Sequence, residues 1–385
     1  MRKIYIYGLL LATALFSGAS IASAQDAEPA TEPVKVEYTV EEPNTLKDMI
    51  TEEDFANATQ VVVKGKICQV DVRQLKFFEQ VLDFIDLSEA EVVEYYQEAL
   101  DTRYEANVLA ASTFDGKKTF KKILLPKGLK TIGDWCFRSC ALEEVVFPEG
   151  LETIGASAFQ FNKALTKVTI PATVKEMGTL AFSGCVELAD LTIEEGLTAI
   201  PGDCFNGCVK LTAMNLPKSI ESIADGAFKG CTGITAVVLP EGLKKAGHQV
   251  FAGLTELRSI TSPATTAPDI QNDTFDETAF ESVQVRIPEE AYDSYLDHFV
   301  WQLFLHFGNL DGKPLGVEAA PAAGVAVYAQ DGALYVDGAQ GASVTVYTLN
   351  GAAVAQCVAA DGRGINLPAG AYIVSVNGAA HKVVL

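Results

Sequence analysis

Apolar residues recur at a fixed spacing through the middle of the chain. One series places a leucine or isoleucine every 23 residues, at Leu142, Leu165, Leu188, Leu211, Ile234 and Leu257. A second series places a phenylalanine at nearly the same spacing, at Phe137, Phe159, Phe182, Phe205, Phe228 and Phe251. A constant period of this length is typical of repeat proteins. The pattern predicts six stacked units of about 23 residues over residues 119–257.

The sequence of each unit predicts one short strand followed by turns that lead the chain back to the next strand. In the unit that starts at Leu165, Val168 and Ile170 share one face of a strand by the period of two. Pro171 ends that strand, because it has no N–H to donate. A lone unit cannot bury its apolar face, whereas copies stacked at roughly 4.8 Å build continuous ladders. The predicted fold class is therefore a repeat solenoid with short parallel strands.

The ends of a solenoid need covers for their apolar faces. Residues 46–118 predict irregular N-terminal repeats and a cap, with strands at 60–64 and 81–87 and a helix over Ala90–Leu109. Residues 258–313 predict a last repeat and a helical cap that extends to Phe307. The cap carries an aromatic cluster, for which core packing and a ligand groove are the two interpretations. The cluster comprises Tyr292, Tyr295, Phe299, Trp301 and Phe304.

The composition changes after the solenoid. Residues 314–323 are rich in Gly, Ala and Pro and predict a linker. Residues 324–385 alternate apolar and polar positions between D-G and N-G turns, which predicts a small all-β sandwich domain. The predicted strands are Val325–Tyr328, Ala333–Val336, Val344–Tyr347, Ala371–Val374 and Lys382–Leu385.

The repeat motif resembles the BspA-type leucine-rich repeat of bacterial surface proteins. The shared elements are I-P, a V-x-x-I-G step and A-F-x-G-C, and the resemblance covers roughly Thr45 to Leu310. It implies a right-handed leucine-rich-repeat coil and a role in adhesion. Three units depart from the motif: Glu194 replaces the proline, Ala246 replaces the isoleucine, and residues 160–162 replace x-G-C.

The tail has a resemblance of its own. V-Y-T-L-N-G-A-A-V, I-N-L-P-A-G-A-Y-I-V-S-V and a final K-V-V-L are similar to the C-terminal sorting domains of type IX secretion cargo. This resemblance implies attachment to, or release at, the outer surface. The usual P-N-P is absent, since Tyr328-Ala329-Gln330 stands there, so a plain β accessory domain is the alternative.

The first residues predict export. Arg2 and Lys3 precede an apolar run, and Ala22-Ser23-Ala24 supplies a small-residue cleavage site, so residues 1–24 predict a signal peptide. The apolar run is shorter than the roughly 20 residues that span a bilayer. Residues 25–45 predict an acidic flexible segment, and no transmembrane segment is expected. The expected location is the cell surface or medium, with the periplasm as the alternative.

Charge narrows the choice of partner. Asp and Glu total 50 against 29 Lys and Arg, and the net charge of -21 argues against nucleic acid as a partner. The sequence lacks H-E-x-x-H, G-x-S-x-G and P-loop motifs, so no catalytic residue, cofactor or metal is predicted. His298 and His306 lie eight residues apart in the predicted cap, where a structural role is favoured over metal binding.

The eight cysteines follow the repeat. Cys136 and Cys140 have C-x-x-x-C spacing, as do Cys204 and Cys208, but all four belong to the repeat period and no histidines accompany them. Mostly free, buried thiols are expected, although disulfides between stacked units are geometrically allowed.

A binding surface is the remaining functional feature. Outward residues of the strands form a charged column, expected to neutralise itself, and a neighbouring β-branched and polar column. The second column is the candidate surface for an extracellular protein or glycan ligand. The alternative is a structural envelope or spacer protein with no dedicated ligand. The candidate surface consists of Leu124, Val146, Thr169, Thr192, Asn215 and Val238.

Overall fold

The computed structural model describes residues 3–5, 33–78, 82–312, 315, 325–330, 333–348, 353–360, 363–368, 370–376 and 379–384. Apart from Lys3–Tyr5, the predicted signal peptide lies outside these residues, and so does the predicted linker apart from Leu315. The chain divides into two units, Met1–His306 and Phe307–Leu385, and each is described by itself.

A parallel sheet, called the front sheet, runs through the first half of the solenoid. Alternation determines which side chains it buries: Val168 and Ile170 are buried, whereas Lys167 and Thr169 point outward. Lys3–Tyr5 pairs with its first strand antiparallel, and Ala90–Val92 pairs with its second. Its parallel strands are Lys35–Val40, Gln60–Ile67, Phe84–Asp86, Lys122–Leu124, Glu144–Val146, Lys167–Ile170 and Asp190–Ile193. The last four belong to units 1 to 4.

The front sheet stops in unit 5, where residues 213–215 read Ala-Met-Asn and form no strand. Alanine and asparagine are depleted in strands, so local propensity explains the break. A second front sheet starts with unit 6. Its strands are Ala236–Val238, Ser259–Thr261 and Gln284–Ile287, and a later strand, His306–Asn309, follows the cap.

Two-residue strands line the opposite side of the coil as back sheets. In other units the N–H of one residue bonds a carbonyl of the preceding unit; Gly178 N–H, for example, donates to the Ile154 carbonyl at 2.8 Å. Pro201 stands at the equivalent position and has no N–H, so the ladder of back strands breaks there once. One back sheet comprises Val108–Leu109, Thr131–Ile132, Thr153–Ile154 and Glu176–Met177. The other comprises Ala199–Ile200, Ser222–Ile223, Lys245–Ala246 and Asp269–Ile270.

A stack of phenylalanine rings fills the core and continues past both breaks. Successive rings are nearly parallel, with centroids 5.0 to 6.1 Å apart. The turns that carry the rings are bonded between units as well; the Phe137 N–H donates to the Ala158 carbonyl at 2.8 Å. The stack is built from Phe114, Phe137, Phe159, Phe182, Phe205, Phe228, Phe251 and Phe275.

The closing position of units 1 to 5 supplies a hydrogen-bond donor as well as a small side chain. The Cys185 thiol donates to the Phe159 carbonyl of the preceding unit at 3.3 Å, and Cys140, Cys208 and Cys231 make the equivalent contact. Asn162 occupies this position in unit 2, and its Nδ2 donates to the Phe137 carbonyl at 2.7 Å. The departure from x-G-C at residues 160–162 therefore preserves a hydrogen-bond donor.

Two N-terminal predictions are wrong. The predicted flexible segment 25–45 contains the strand Lys35–Val40, which buries Val36, Tyr38 and Val40. The predicted helix Ala90–Leu109 is absent. This stretch instead forms the strand Ala90–Val92, a hairpin of Tyr95–Gln97 with Thr102–Tyr104, and the edge strand Val108–Leu109. Asp101 and Asn107 adopt positive φ, which interrupts a right-handed helix, and β-branched and tyrosine pairs favour strands.

The C-terminal cap is helical only in short pieces. Asp297 ends the helix Tyr292–Leu296, and His298 Nδ1 then accepts the Val300 N–H at 3.1 Å. His306, which the sequence placed in the capping helix, is the first residue of the strand His306–Asn309. The α-helices of the solenoid are Glu52–Asn57, Gln69–Gln74, Glu277–Ser282 and Tyr292–Leu296. Its 3-10 turns are Leu46–Asp48, Leu75–Phe77, Glu98–Leu100, Glu289–Ala291 and Trp301–Leu303.

The second unit contains two antiparallel sheets, as the sandwich prediction required. Val344, Val346, Val374 and Leu334 form its buried centre. Two strands were not predicted, Ala353–Val358 and Ile365–Asn366. One sheet contains Ala326–Gln330, Ala333–Asp337 and Ile365–Asn366. The other contains Ala353–Val358, Ser343–Thr348, Ala371–Val376 and Ala379–Val384.

The closing donor predicts an effect on stability. Asn162→Ala should lower the free energy of unfolding by about 1–3 kcal/mol, because it removes the donor to a buried carbonyl. Asn162→Cys should retain stability, since it restores the donor and removes the buried Asn162 Oδ1, which has no hydrogen-bond partner. Urea unfolding followed by circular dichroism measures both. Asn206→Ala, at a half-buried asparagine bonded to Asp203, is the matched control; an equal loss there would contradict the assignment.

Candidate binding surface

The candidate column lies only partly on one sheet. Leu124 pairs with Val146, and Thr169 pairs with Thr192, all on the front sheet. Asn215 lies in the break, outside any strand. Val238 lies on the second front sheet. Leu124 is half-buried and the other five residues are exposed. Units 1 to 4 therefore provide the longest continuous part of the surface.

Opposite charges pair along the charged column of the strands, as expected. Lys122 Nζ lies 2.8 Å from a Glu144 carboxylate oxygen, and Lys167 Nζ lies 2.8 Å from Asp190. The pKa of Lys167 is raised, chiefly by its hydrogen bond to Asp190. On another side of the coil, Lys130 pairs with Glu152 and Lys244 with Glu221. Such exposed pairs contribute little to stability, but they occupy charges that a ligand would otherwise meet.

A shallow depression of about 510 Å³ opens on the front sheet across units 2 to 4. Two members of the candidate column, Val146 and Thr169, line it. Val146 keeps 50% of its surface exposed, so the depression offers apolar contact area. The other lining residues are Glu144, Val145, Phe147, Glu149, Lys167, Pro171, Ala172, Thr173 and Glu194.

Three departures from the repeat meet at this depression. Phe147 stands where the other five units have leucine or isoleucine, and its ring packs edge-on against Phe159 at 5.4 Å. Ala172-Thr173 stands where several units have a charged residue followed by glycine, and Glu194 replaces the strand-ending proline. Because Glu194 has an N–H, it donates to the Ile170 carbonyl at 3.0 Å. These positions were missed as site residues, although Glu194 was visible as a departure.

Two carboxylates at the depression lack a cationic partner. Among the described residues, no ion pair involves Glu149 or Glu194, and both side chains are exposed. Glu194 Oε2 accepts the Ala172 N–H at 3.0 Å, which orients its carboxylate. The neighbouring Glu195 differs, because it accepts the N–H groups of Lys218 and Ser219. The Lys218 N–H lowers the pKa of Glu195.

Comparison with known families assigns the repeat. Residues 107–235 and 181–295 match the BspA type Leucine rich repeat region, in 6 copies. Over residues 107–295 the solenoid is thus similar to BspA-type leucine-rich repeat regions, and its fold is a leucine-rich-repeat solenoid. Residues 314–385 match a domain of unknown function, DUF6383. The tail's resemblance to type IX sorting domains stays a prediction. The chain matches no curated protein.

Several solved structures are similar to the chain. A leucine-rich repeat protein from Bacteroides ovatus is 19% identical to this chain, with a TM-score of 0.40; the aligned region covers 60% of this chain and 70% of the Bacteroides ovatus chain. The T. pallidum leucine rich repeat protein is 22% identical over 58% of this chain and 83% of its own, with a TM-score of 0.33. A leucine rich cell surface protein from Faecalibacterium prausnitzii is 16% identical over 76% and 96%, with a TM-score of 0.28.

Most of the aromatic cluster at the end of the solenoid belongs to the core. Trp301 is buried, and its Nε1 donates to the Pro268 carbonyl at 2.8 Å. Tyr295 is buried and donates to Ser262 Oγ at 2.6 Å, and burial raises the pKa of its hydroxyl to about 12. Tyr292 is half-buried, and Phe299 keeps 65% of its surface exposed. The ligand-groove interpretation is therefore wrong for the buried members.

The metal candidates do not converge. His298 Nε2 lies 3.5 Å from Asp269, and His306 sits on a separate strand. In the described part of the chain, no group of three His, Cys, Asp or Glu side chains is arranged to hold a metal ion. In that same part, no helix has the length and apolar character needed to cross a membrane.

The eight cysteines carry free thiols, and all but Cys357 are buried. Cys140, Cys185 and Cys231 share one environment at the closing positions, where burial raises the thiol pKa to about 12. A raised pKa means that the folded state favours the protonated thiol. Its contribution to stability is present below pH 9 and is lost as the pH rises toward 12.

Thiol labelling tests this arrangement. With N-ethylmaleimide at pH 8, the native protein should take up one adduct, at Cys357, because the other thiols are buried and protonated. Unfolding in urea without a reductant should raise the count to that of all cysteines, and Cys357→Ser should leave the native protein unlabelled. Mass spectrometry counts the adducts. Native labelling at Cys185 or Cys208, or missing adducts after unfolding, would contradict the assignment.

Proposed function

We propose that the protein is exported and binds a protein ligand outside the cytoplasm through the front sheet, with the depression across units 2 to 4 as the centre of contact. The observation that carries the proposal is the depression itself. It lies on the open strand face, joins Val146 to Thr169, and coincides with three departures from an otherwise regular repeat. Solenoids bind through extended surfaces, so a ligand would contact several units at once.

The chemistry of the lining favours binding over catalysis. The depression contains no histidine, cysteine or serine, the side chains most often used as catalytic bases and nucleophiles. Lys167, its cationic group, is paired with Asp190. Apolar area from Val146, Pro171 and Ala172 beside a few polar groups is the usual composition of a recognition site. This composition favours a protein segment over a glycan as the ligand.

Filling the depression tests the proposal. Purified protein should bind saturably to at least one member of an array of matrix proteins, mucins and bacterial surfaces. Thr169→Trp should weaken that binding about tenfold or more, because the indole occupies the space that the ligand needs. Thr198→Trp makes the same change at an exposed threonine on the back of the coil and should leave the affinity unchanged.

Two results would contradict the proposal. Absence of saturable binding across the array would favour the spacer function. Equal losses for Thr169→Trp and Thr198→Trp would place the contact elsewhere, provided that both variants unfold at the wild-type temperature.

The tail is proposed to attach the protein to the outer surface. Deleting residues 324–385 should abolish surface location, because it removes the proposed attachment domain and leaves the unit Met1–His306 whole. Protease accessibility on intact cells measures the location. Thr169→Trp is the matched control and should stay accessible. Unchanged surface location after the deletion would reduce the tail to an accessory domain.

A further inference from the structure

The unpaired carboxylates at the depression indicate what kind of side chain the ligand presents. Elsewhere on units 1 to 4, Glu144, Glu152 and Asp190 each face a lysine of an adjacent unit at 2.7 to 2.8 Å. Glu149 and Glu194 have no such lysine among the described residues, yet they border the same apolar recess. The acidic side chains on the strands beside the depression are thus paired with lysines, whereas Glu149 and Glu194 at the edge of the depression are not.

Two lysines near the depression have other partners. Lys175 Nζ donates to the Ala172 carbonyl at 3.0 Å. Lys167 lines the depression, but its Nζ lies 2.8 Å from Asp190. Glu195 cannot substitute for Glu194, because its two oxygens accept the N–H groups of Lys218 and Ser219 at 3.0 Å. Glu194 accepts one N–H, from Ala172, which leaves its other oxygen available to a ligand. Glu194 is thus an oriented acceptor, and neither glutamate forms an ion pair with a cation in the described part of the chain.

We propose that the ligand inserts a lysine or arginine side chain into the depression, with its aliphatic stem on Val146 and Pro171 and its cationic head between Glu149 and Glu194. This inference rests on the proposed function and names the partner as a protein segment with an exposed basic residue. A long basic side chain has both parts that the site requires, since its stem is apolar and its head is a charge-assisted donor.

Other occupants fit less well. A purely apolar side chain would remove Glu149 and Glu194 from water without a compensating partner, which is costly. An acidic segment would meet two like charges, and the chain's net charge of -21 would repel it over longer distances. Opposite charge also increases the rate of encounter, so a basic partner gains from the whole surface as well as from the site.

The repeat supplies a matched control. Glu241 occupies in unit 6 the position that Glu149 occupies in unit 2, and Glu187 is a second exposed glutamate. Neither lines the depression. Replacing Glu187 and Glu241 with glutamine changes the net charge as much as replacing Glu149 and Glu194. Glutamine at 194 keeps an oxygen for the Ala172 N–H, so folding is preserved.

The experiment selects a displayed library of random linear peptides on the purified protein, then measures affinity by calorimetry. Selected peptides should be enriched in lysine or arginine. Glu149→Gln combined with Glu194→Gln should weaken the best peptide about tenfold or more, and the Glu187→Gln, Glu241→Gln control should not. Replacing the basic residue of the peptide with norleucine should cost the wild type more than it costs the double variant.

The outcomes separate this inference from the proposed function. Peptides without basic enrichment that are still blocked by Thr169→Trp would overturn the cationic ligand and leave the docking site standing. Equal losses in the test and control pairs would reduce the effect to net charge and would also overturn it. Recovery of no peptide, or of peptides indifferent to Thr169→Trp, would count against both.

Discussion

The structure depends on one constraint: each unit must stack on its neighbours at a single strand spacing, because it cannot bury its own apolar face. The phenylalanine column shows how strictly this is met, since rings from Phe114 to Phe275 stay nearly parallel through the whole coil. Loss of one such ring would cost about 3–5 kcal/mol, a large part of the stability of any domain. Inward positions are therefore conservative from unit to unit, and even Asn162 in a cysteine column keeps the donor that the neighbouring unit needs.

Outward positions are free of that constraint, and there the units differ. The two breaks in the backbone ladders, at Pro201 and at residues 213–215, have local explanations and leave the ring stack intact. The outward departures at Ala172-Thr173 and Glu194 are different, because they converge on one recess with the buried Phe147. The stacking of the units does not require these departures to lie together. We infer that the repeat supplies the architecture and that the exceptions around this recess supply the specificity.

Much of this fold could be predicted from the sequence, because a period of 23 residues specifies a stacked coil, and alternation with N-G and D-G turns identified five of the seven described tail strands. Prediction failed where no period guided it. Residues 90–109 carry an acidic, helix-like composition, yet strand pairing and positive φ at Asp101 and Asn107 prevail there. At the site, Val146 and Thr169 followed from alternation alone. Glu149 and Glu194 did not, because they lie in different units and only the stacking brings them to one recess.

The most direct test of the proposed site is amide hydrogen exchange of the protein with and without a bound partner. Binding at the depression predicts that added protection is concentrated in residues 144–149 and 167–173, with little change in the back sheet at residues 199–200 and 222–223. Protection confined to the back sheet or to residues 324–385, with the depression exchanging as in the free protein, would contradict it.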